Sequence, residues 1–320
     1  MPDYYVAFWN LENLFDINNS PRRSEKLQRT LKSELSKWTT PVLNRKIQQL
    51  ASIIRQMNQV RGPDILGVCE VENDYVLRLL LNALTIPNRN YAIEHHDMSD
   101  KRGIDVAFIY DRNSFTAEAQ FSHYIIKRSA TRDLFQVNFR TVGNNLIILI
   151  GNHWPSRSAG QYSSEPYRII AGETLSYFHQ RIRDIQRNSD VAVLAMGDFN
   201  DEPFSRSLVE YALSERIRAK VTKARSPKFL NLMWPLLGKG IGTHYFDDYP
   251  NMLDQFLASK GLLTGNSNFK VLPDTVEVVR FPEMVSNGDY QAPIRYGRGE
   301  SSNRDGYSDH FPIAVQIKEA

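Results

Sequence analysis

At 320 residues, 42% hydrophobic and 23% charged, the chain carries enough apolar sequence for a sizeable packed core, which excludes a disordered or fibrous protein. A formal net charge of +3 tolerates a polyanionic partner without requiring one. One cysteine, Cys69, excludes an intrachain disulfide, and no run approaches the roughly 20 apolar residues of a membrane span.

The chain enters a strand-like run, Tyr4-Tyr5-Val6-Ala7-Phe8-Trp9, without a basic region and apolar signal core before it. Cytoplasmic location is therefore the expectation, although a chain trimmed of an export signal would read the same. This first run ends at Asn10-Leu11-Glu12-Asn13. Pro21 to Lys37 is polar and charged, which predicts a surface excursion with some helix. Pro41 then opens a helix whose Val42, Ile47, Leu50, Ile53 and Ile54 share one face, and Gly62-Pro63 ends it. Asp64 to Cys69 is a short apolar strand running into Glu70-Val71-Glu72-Asn73. Asn73 or Asp74 caps a further helix carried by Val76, Leu77, Leu80, Leu81 and Leu84.

Ile104 to Tyr110 and Leu134 to Phe139 are sheet strands separated by polar turns. Leu146 to Ile150 is fully apolar and ends in Asn152-His153-Trp154-Pro155-Ser156-Arg157. A long helix is expected from about Glu165 to Arg187. Val191 to Met196 is again apolar throughout, the mark of a strand buried on both faces. It meets Gly197-Asp198-Phe199-Asn200-Asp201, where an Asx-type turn is the simplest reading and a paired carboxylate and amide the functional one. A short helix near Ser205 to Leu213 and a glycine-rich loop follow. Met252 to Leu257 alternates like a half-buried strand. Ser286 to Tyr307 is a long loop delivering Ser308-Asp309-His310 ahead of a last strand, Phe311 to Ile317. Many strands with long helices at intervals, and no low-complexity linker, predict one domain over residues 1–320 with two stacked sheets covered by helices.

Five strand ends thus carry polar side chains: Asn10, Glu70, His153, the Asp198/Asn200 pair and Asp309/His310. Each has an innocent explanation alone, as a cap, a surface acid or a satisfied histidine. Together they predict a concave site at one edge of the sheets. A phosphodiester repels nucleophiles and has a poor leaving group, so its hydrolysis needs a cation, an activated water and donors to the phosphoryl oxygens. Glu70 is the first candidate metal ligand, with Asn10 either completing the shell or donating to the phosphate, and hard oxygen ligands point to Mg²⁺, with Mn²⁺ as substitute. Asp198 is placed to orient or deprotonate the water, with Asn200 donating beside it. His310 is a candidate to touch the phosphate or act in proton transfer, and Asp254 for the partner that fixes its tautomer. Arg102, Tyr110, Trp154 and Arg157 are candidate phosphate or substrate contacts. Glu72 has the parity to share the site with Glu70 but reads equally as a solvated acid. His95, His96 and His123 show no partner pattern and read as surface residues, so no histidine-rich zinc site is indicated.

The ordered segments Trp9-Asn10-Leu11-Glu12-Asn13-Leu14-Phe15, Cys69-Glu70-Val71, Asn152-His153-Trp154-Pro155, Gly197-Asp198-Phe199-Asn200, Leu253-Asp254-Gln255-Phe256 and Ser308-Asp309-His310-Phe311-Pro312 resemble the motifs of the endonuclease/exonuclease/phosphatase superfamily. The resemblance runs from near residue 10 to near residue 312 and implies an α+β, four-layer αββα sandwich with two mostly antiparallel sheets. It also implies that Asp309 belongs to the metal shell, that His153 binds phosphate or helps the leaving group, and that Asp254 accepts a hydrogen bond from His310. Ser156 stands where abasic-site endonucleases carry an asparagine, which speaks against that repair role. The favoured activity is a Mg²⁺-dependent endonuclease acting on DNA, supported by Arg22, Arg23, Arg157, Arg295, Arg298 and Arg304 with Trp154, Tyr162, Tyr167 and Tyr296 near them. A phosphatase or phosphodiesterase acting on a small phosphorylated molecule or phospholipid headgroup is the alternative. A binding protein that kept the fold and lost catalysis is disfavoured, because competent residues fill every core position. Oligomeric state is not legible.

Overall fold

The computed structural model describes residues 2–128, 130–158, 160–297 and 303–320. In chain order its first elements are β1 (Asp3–Leu14), α1 (Glu25–Leu31), α2 (Thr40–Val60), β2 (Ile65–Val71), α3 (Asp74–Leu84), β3 (Tyr91–His95) and β4 (Asp105–Asp111). The middle of the chain forms β5 (Phe115–His123), β6 (Leu134–Thr141), β7 (Leu146–His153), α4 (Gln161–Gln186), β8 (Ala192–Asp198), β9 (Ser214–Glu215) and α5 (Arg218–Thr222). The last are β10 (Phe229–Asn231), β11 (His244–Phe246), β12 (Tyr249–Asn251), β13 (Asp254–Ser259), α6 (Lys260–Thr264), β14 (Phe269–Val278) and β15 (Ile313–Glu319).

Two large sheets result, with orders β14-β15-β1-β2-β4-β3 and β5-β6-β7-β8-β13-β10-β9, and β11 and β12 make a separate ribbon. Pairing is antiparallel except at β1–β2, β7–β8 and β9–β10. The layers follow from side-chain alternation along β1. Tyr4, Val6 and Phe8 point between the sheets, where they meet Phe108, Phe135, Phe139 and Met196. Tyr5, Ala7 and Trp9 point the other way, onto α2 and α3 through Leu43, Ile47 and Leu77. Ile148, Ile150, Val193 and Ala195 on the second sheet's outer face bury Ala171, Leu175 and Ile182 of α4. The order is therefore helix, sheet, sheet, helix, the expected αββα sandwich. The sheets approach closely at Gly67, where a Cβ would lie 2.7 Å from both Met196 Cε and Phe8 Cδ2.

Several expectations are corrected. The 21–37 excursion is anchored: Leu31 and Leu35 are buried, and Arg23 forms a buried pair with Glu72. Helix α4 begins at Gln161 and carries Pro166 within it, and α2 leaves helical geometry at Met57–Gln59. The Ser205–Leu213 helix is only a π-helical turn over Ser207–Tyr211. Strand β13 is buried along its whole length, because its polar residues are bonded internally. Gln255 Nε2, for example, donates to Asp201 O at 2.6 Å. Strands β5 and β14 were not anticipated. No helix among the described residues is long and apolar enough to cross a membrane.

Candidate active site

Topology brings the polar strand ends together. β1 and β2 are parallel, as are β7 and β8, so each pair ends at a common edge of its sheet. β13 runs antiparallel to β8 with Asp254 opposite Asp198, and β15 enters antiparallel to β1 with Ile313 opposite Phe8. The start of β13 and the segment before β15 therefore join the same edge. Glu12, Asn13, Glu70 and Asn200 all have positive φ there, at 49°, 61°, 62° and 51°. For Glu12 and Glu70 this is sparsely populated backbone, tolerated because the fold over-determines it, and such strain gathers at functional sites. Gly197 is required by the close approach of a neighbouring strand. A Cβ on it would fall 2.1 Å from Asn152 O of the neighbouring strand.

Asp198 lies at the centre. Its Oδ1 accepts the Asn200 N–H at 2.9 Å, and its Oδ2 accepts Asn10 Nδ2 and Asn200 Nδ2, each at 3.2 Å. The Asx turn and the functional pair expected at this point are thus the same structure. His153 Nε2 and His310 Nε2 each lie 3.9 Å from Asp198 Oδ2. On its far side His310 Nδ1 bonds Asp254 Oδ2 at 2.7 Å, while Asp254 Oδ1 is buried without a partner. Trp9 Nε1 donates to His310 O at 2.8 Å, which fixes that backbone.

Electrostatics separates the roles. Burial pushes Asp198 up to about 7, helped by Asp254 and Glu70 and opposed by His310 and the Asn200 N–H. Burial opposes charging of His310, but Asp254, Asp198 and Asp309 outweigh it and hold the ring well above the usual histidine range. His153 is the reverse case: burial, then Arg132, Arg102 and His310, push it well down, and it stays neutral with Nδ1 unbonded.

Glu70 lies 3.7 Å from His153 Nε2 and 3.8 Å from Arg102, and its carboxylate accepts no hydrogen bond among the described residues. Asn10 Oδ1 accepts only the Glu12 N–H, at 3.0 Å, so it keeps a second lone pair. Asp309 is only partly buried, 3.7 Å from Arg295, and its carboxyl stays below the usual range because His310, His244 and Arg295 outweigh desolvation, the largest influence. Glu70 and Asn10 offer free oxygens and the Cys69 thiol is buried away, which suits a hard divalent cation; Glu70, Asn10 and Asp309 are the residues that could hold it.

Four predicted contacts are placed otherwise or only in part. Tyr110 is at the opposite end of the sandwich, because β4 is antiparallel to β2 and pairs Tyr110 with Ile65. Its ring packs on Phe139 at 5.1 Å. Trp154 is fully buried, with its indole N–H donating to Asn152 Oδ1 at 2.9 Å. Arg157 braces the loop, donating to Asn200 O at 2.7 Å and Asn251 Oδ1 at 3.3 Å. Arg102 does reach the site, bonding Asn13 beside Glu70. Glu72 is neither a site carboxylate nor solvated, since Arg23 Nε and Nη2 clamp it at 2.7 and 2.6 Å. His95 is not a surface residue but pairs with the buried Asp105 at 3.1 Å, and His123 is stacked on Phe178. Tyr296 is buried, and Arg298 lies outside the described residues.

Three site residues were missed. Arg132 donates to Trp154 O at 3.0 Å behind His153. Glu12 accepts Tyr296 N and Gly297 N at 2.7 and 3.0 Å, fixing the loop that carries Asp309. Glu12 sits inside a quoted motif, so its signal was present. His244, whose ring centre is 4.8 Å from that of His310, lies in a loop-rich stretch with no local pattern to mark it.

Among solved structures, the chain resembles a mannosyl-6-phosphatase of Bacteroides thetaiotaomicron, with 16% identity, 98% and 99% of the two chains covered and a TM-score of 0.57. It also resembles the human Nocturnin catalytic domain with bound sulfate, with 15% identity, 100% and 94% coverage and a TM-score of 0.58. Truncated Caenorhabditis elegans TDP2 is similar at 17% identity, 99% and 98% coverage and a TM-score of 0.55. At these identities the likeness is one of fold. No curated protein sequence matches. The family model described as Endonuclease/Exonuclease/phosphatase family matches residues 5–319, and the chain therefore belongs to that family of phosphoester hydrolases, which generally depend on a divalent metal.

Proposed function

We propose that the protein is a Mg²⁺-dependent phosphodiesterase acting on nucleic acid, most simply a DNA endonuclease, and that residues 1–320 work as one catalytic unit. The observation that carries the reading is the Asp254–His310 pair facing Asp198, with the uncommitted Glu70 carboxylate alongside. A divalent cation held by Glu70, Asn10 and Asp309 would offset the charge of the phosphodiester. Asp198, with its pKa raised to about 7, is poised near neutrality to take the proton of the attacking water, and Asn200 and Asn10 keep its carboxylate oriented. His310, kept protonated by Asp254, donates to a phosphoryl oxygen, and the neutral His153 offers a further contact to the phosphate.

The nucleic-acid part rests on charge at the mouth. A cleft of about 680 Å³ beside the Arg102 segment is lined by Arg22, Lys26 and Lys101. Of its carboxylates, Glu72, Asp100 and Asp105 are paired with Arg23, Arg132 and His95 respectively, while Asp97 is exposed, as are Lys26 and Lys101. Lys26 and Lys101 thus offer exposed cations to a phosphate backbone. The likeness to a mannosyl-6-phosphatase favours a second reading, monoester hydrolysis on a sugar phosphate.

Single- and double-stranded DNA, RNA, nucleotides, inositol phosphates and mannose 6-phosphate, each with Mg²⁺, Mn²⁺ or EDTA, decide between them. Metal-dependent cleavage of DNA, abolished by chelator, is expected. Hydrolysis of monoesters alone, or full activity in excess EDTA, contradicts the proposal.

A further inference from the structure

The β11–β12 ribbon stands at the rim of the site, and its two faces differ. On one face Tyr245 packs edge-on against Phe311, with ring centres 6.3 Å apart. Residues two apart on a strand share a face, and directly paired residues do too. The register pairs His244 with Asn251 and Phe246 with Tyr249, so these four share the other face. At the root of that face His244 lies against the His310 ring, and Asn251 accepts from Arg157. The root is tied to Asp254 and to the residue after His310: Thr243 Oγ1 accepts Asp254 N at 3.0 Å, and Thr243 O accepts Phe311 N at 2.7 Å. At the tip Phe246 and Tyr249 are 67% and 74% exposed, too open for rings serving only as core. Phe246 is two residues beyond His244, about 7 Å along the strand, within the reach of one nucleotide whose phosphate sits at His310.

We infer that this face is a stacking platform for a nucleobase adjoining the scissile phosphate, an assignment that rests on the nucleic-acid reading above. Aromatic rings accept any base by its π-face. The turn between them is Asp247-Asp248, both at positive φ as a two-residue hairpin turn requires, and both exposed. Two carboxylates at the tip repel a second phosphate backbone while accepting from the amino groups of a base edge. The platform therefore selects an unpaired nucleotide over a continuous duplex.

A Phe246→Val/Tyr249→Val double variant removes the rings and keeps a β-branched cross-strand pair, so the ribbon is retained. Binding is read in the Asp198→Ala background by quenching of 2-aminopurine in a single-stranded oligonucleotide, against a chain of abasic sugar-phosphates of equal length. Cleavage of both chains is read with Asp198 intact. The base-bearing strand should bind at least about 5-fold more tightly than the abasic chain, the lower end for one stacked base, and the double variant should lose that preference and the quenching. Equal affinity for the two chains, or a preference that survives the double variant, overturns the platform, and nuclease activity in that case stands by itself. Failure to bind or cleave either chain overturns both assignments.

Discussion

Burial makes Asp198 a carboxylate that resists charging, and its neighbours Asp254 and Glu70 add to the repulsion. Asp198→Ala is accordingly expected to lower kcat by at least about 10²-fold, the lower end for a positioned base. Its fold should persist, with a modest change in thermal midpoint, because relief of repulsion is offset by the Asn10 and Asn200 donors left without an acceptor. Comparing kcat and melting of this variant with the parent checks both halves, and a variant with parental turnover would remove Asp198 from the mechanism. At this scale the sequence showed which strand ends carry polar residues but not which end of the sandwich each occupies. Tyr110 failed for that reason, its strand running opposite to β2. Trp154 failed because Asn152 satisfies its indole N–H internally and lets it be buried. Nothing local says that Arg23 and Glu72, 49 residues apart, will meet.

Central strands were legible because both of their faces are apolar, which leaves an unbroken run such as Val191–Met196. Edge strands were not. β5 alternates between buried and exposed positions with a register shift at Ala117/Ala119, and β14 breaks its pairing between Leu272 and Glu277, so neither has a continuous period. The ends of the sandwich opposite the site are closed by polar contacts that no pattern announces. Glu319 of β15 accepts Tyr4 Oη at 2.6 Å from β1 and Asn145 Nδ2 at 2.7 Å, and also bonds Thr141 of β6 in the other sheet. Burial opposes its ionisation, but these donors outweigh it and lower its pKa below the ordinary 4.5. A carboxyl whose pKa is depressed by folding contributes stability that is present above its unfolded pKa and lost as pH falls through the folded one. Glu319→Gln should therefore cost about 1.5–3 kcal/mol near pH 7, the range for hydrogen bonds to a charged group. The difference from the parent should shrink below about pH 4.5, where the unfolded chain's carboxylate takes up its proton first, and vanish as pH falls through the lower folded pKa. Denaturant midpoints at pH 7 and pH 3 test this, and a penalty equal at both would assign the loss to packing.

At the scale of the molecule the site belongs to neither sheet. Asn10 and Glu70 come from one, His153, Asp198 and Asp254 from the other, and His310 from the segment leading into β15 of the first. The close approach at Gly67 brings those edges together, and the Asp254–His310 bond crosses between them. The central claim is that this bond joins the two residues into one catalytic unit, with Asp254 acting as a positioning residue through the His310 ring. The most direct test is kcat for Asp254→Ala, His310→Ala and the double variant on the substrate cleaved with Mg²⁺. Each single change should lower kcat with little effect on KM, and the double variant should be no slower than about 3-fold beyond His310→Ala, the non-additivity of residues acting together. Independent losses that multiply in the double variant would contradict the account.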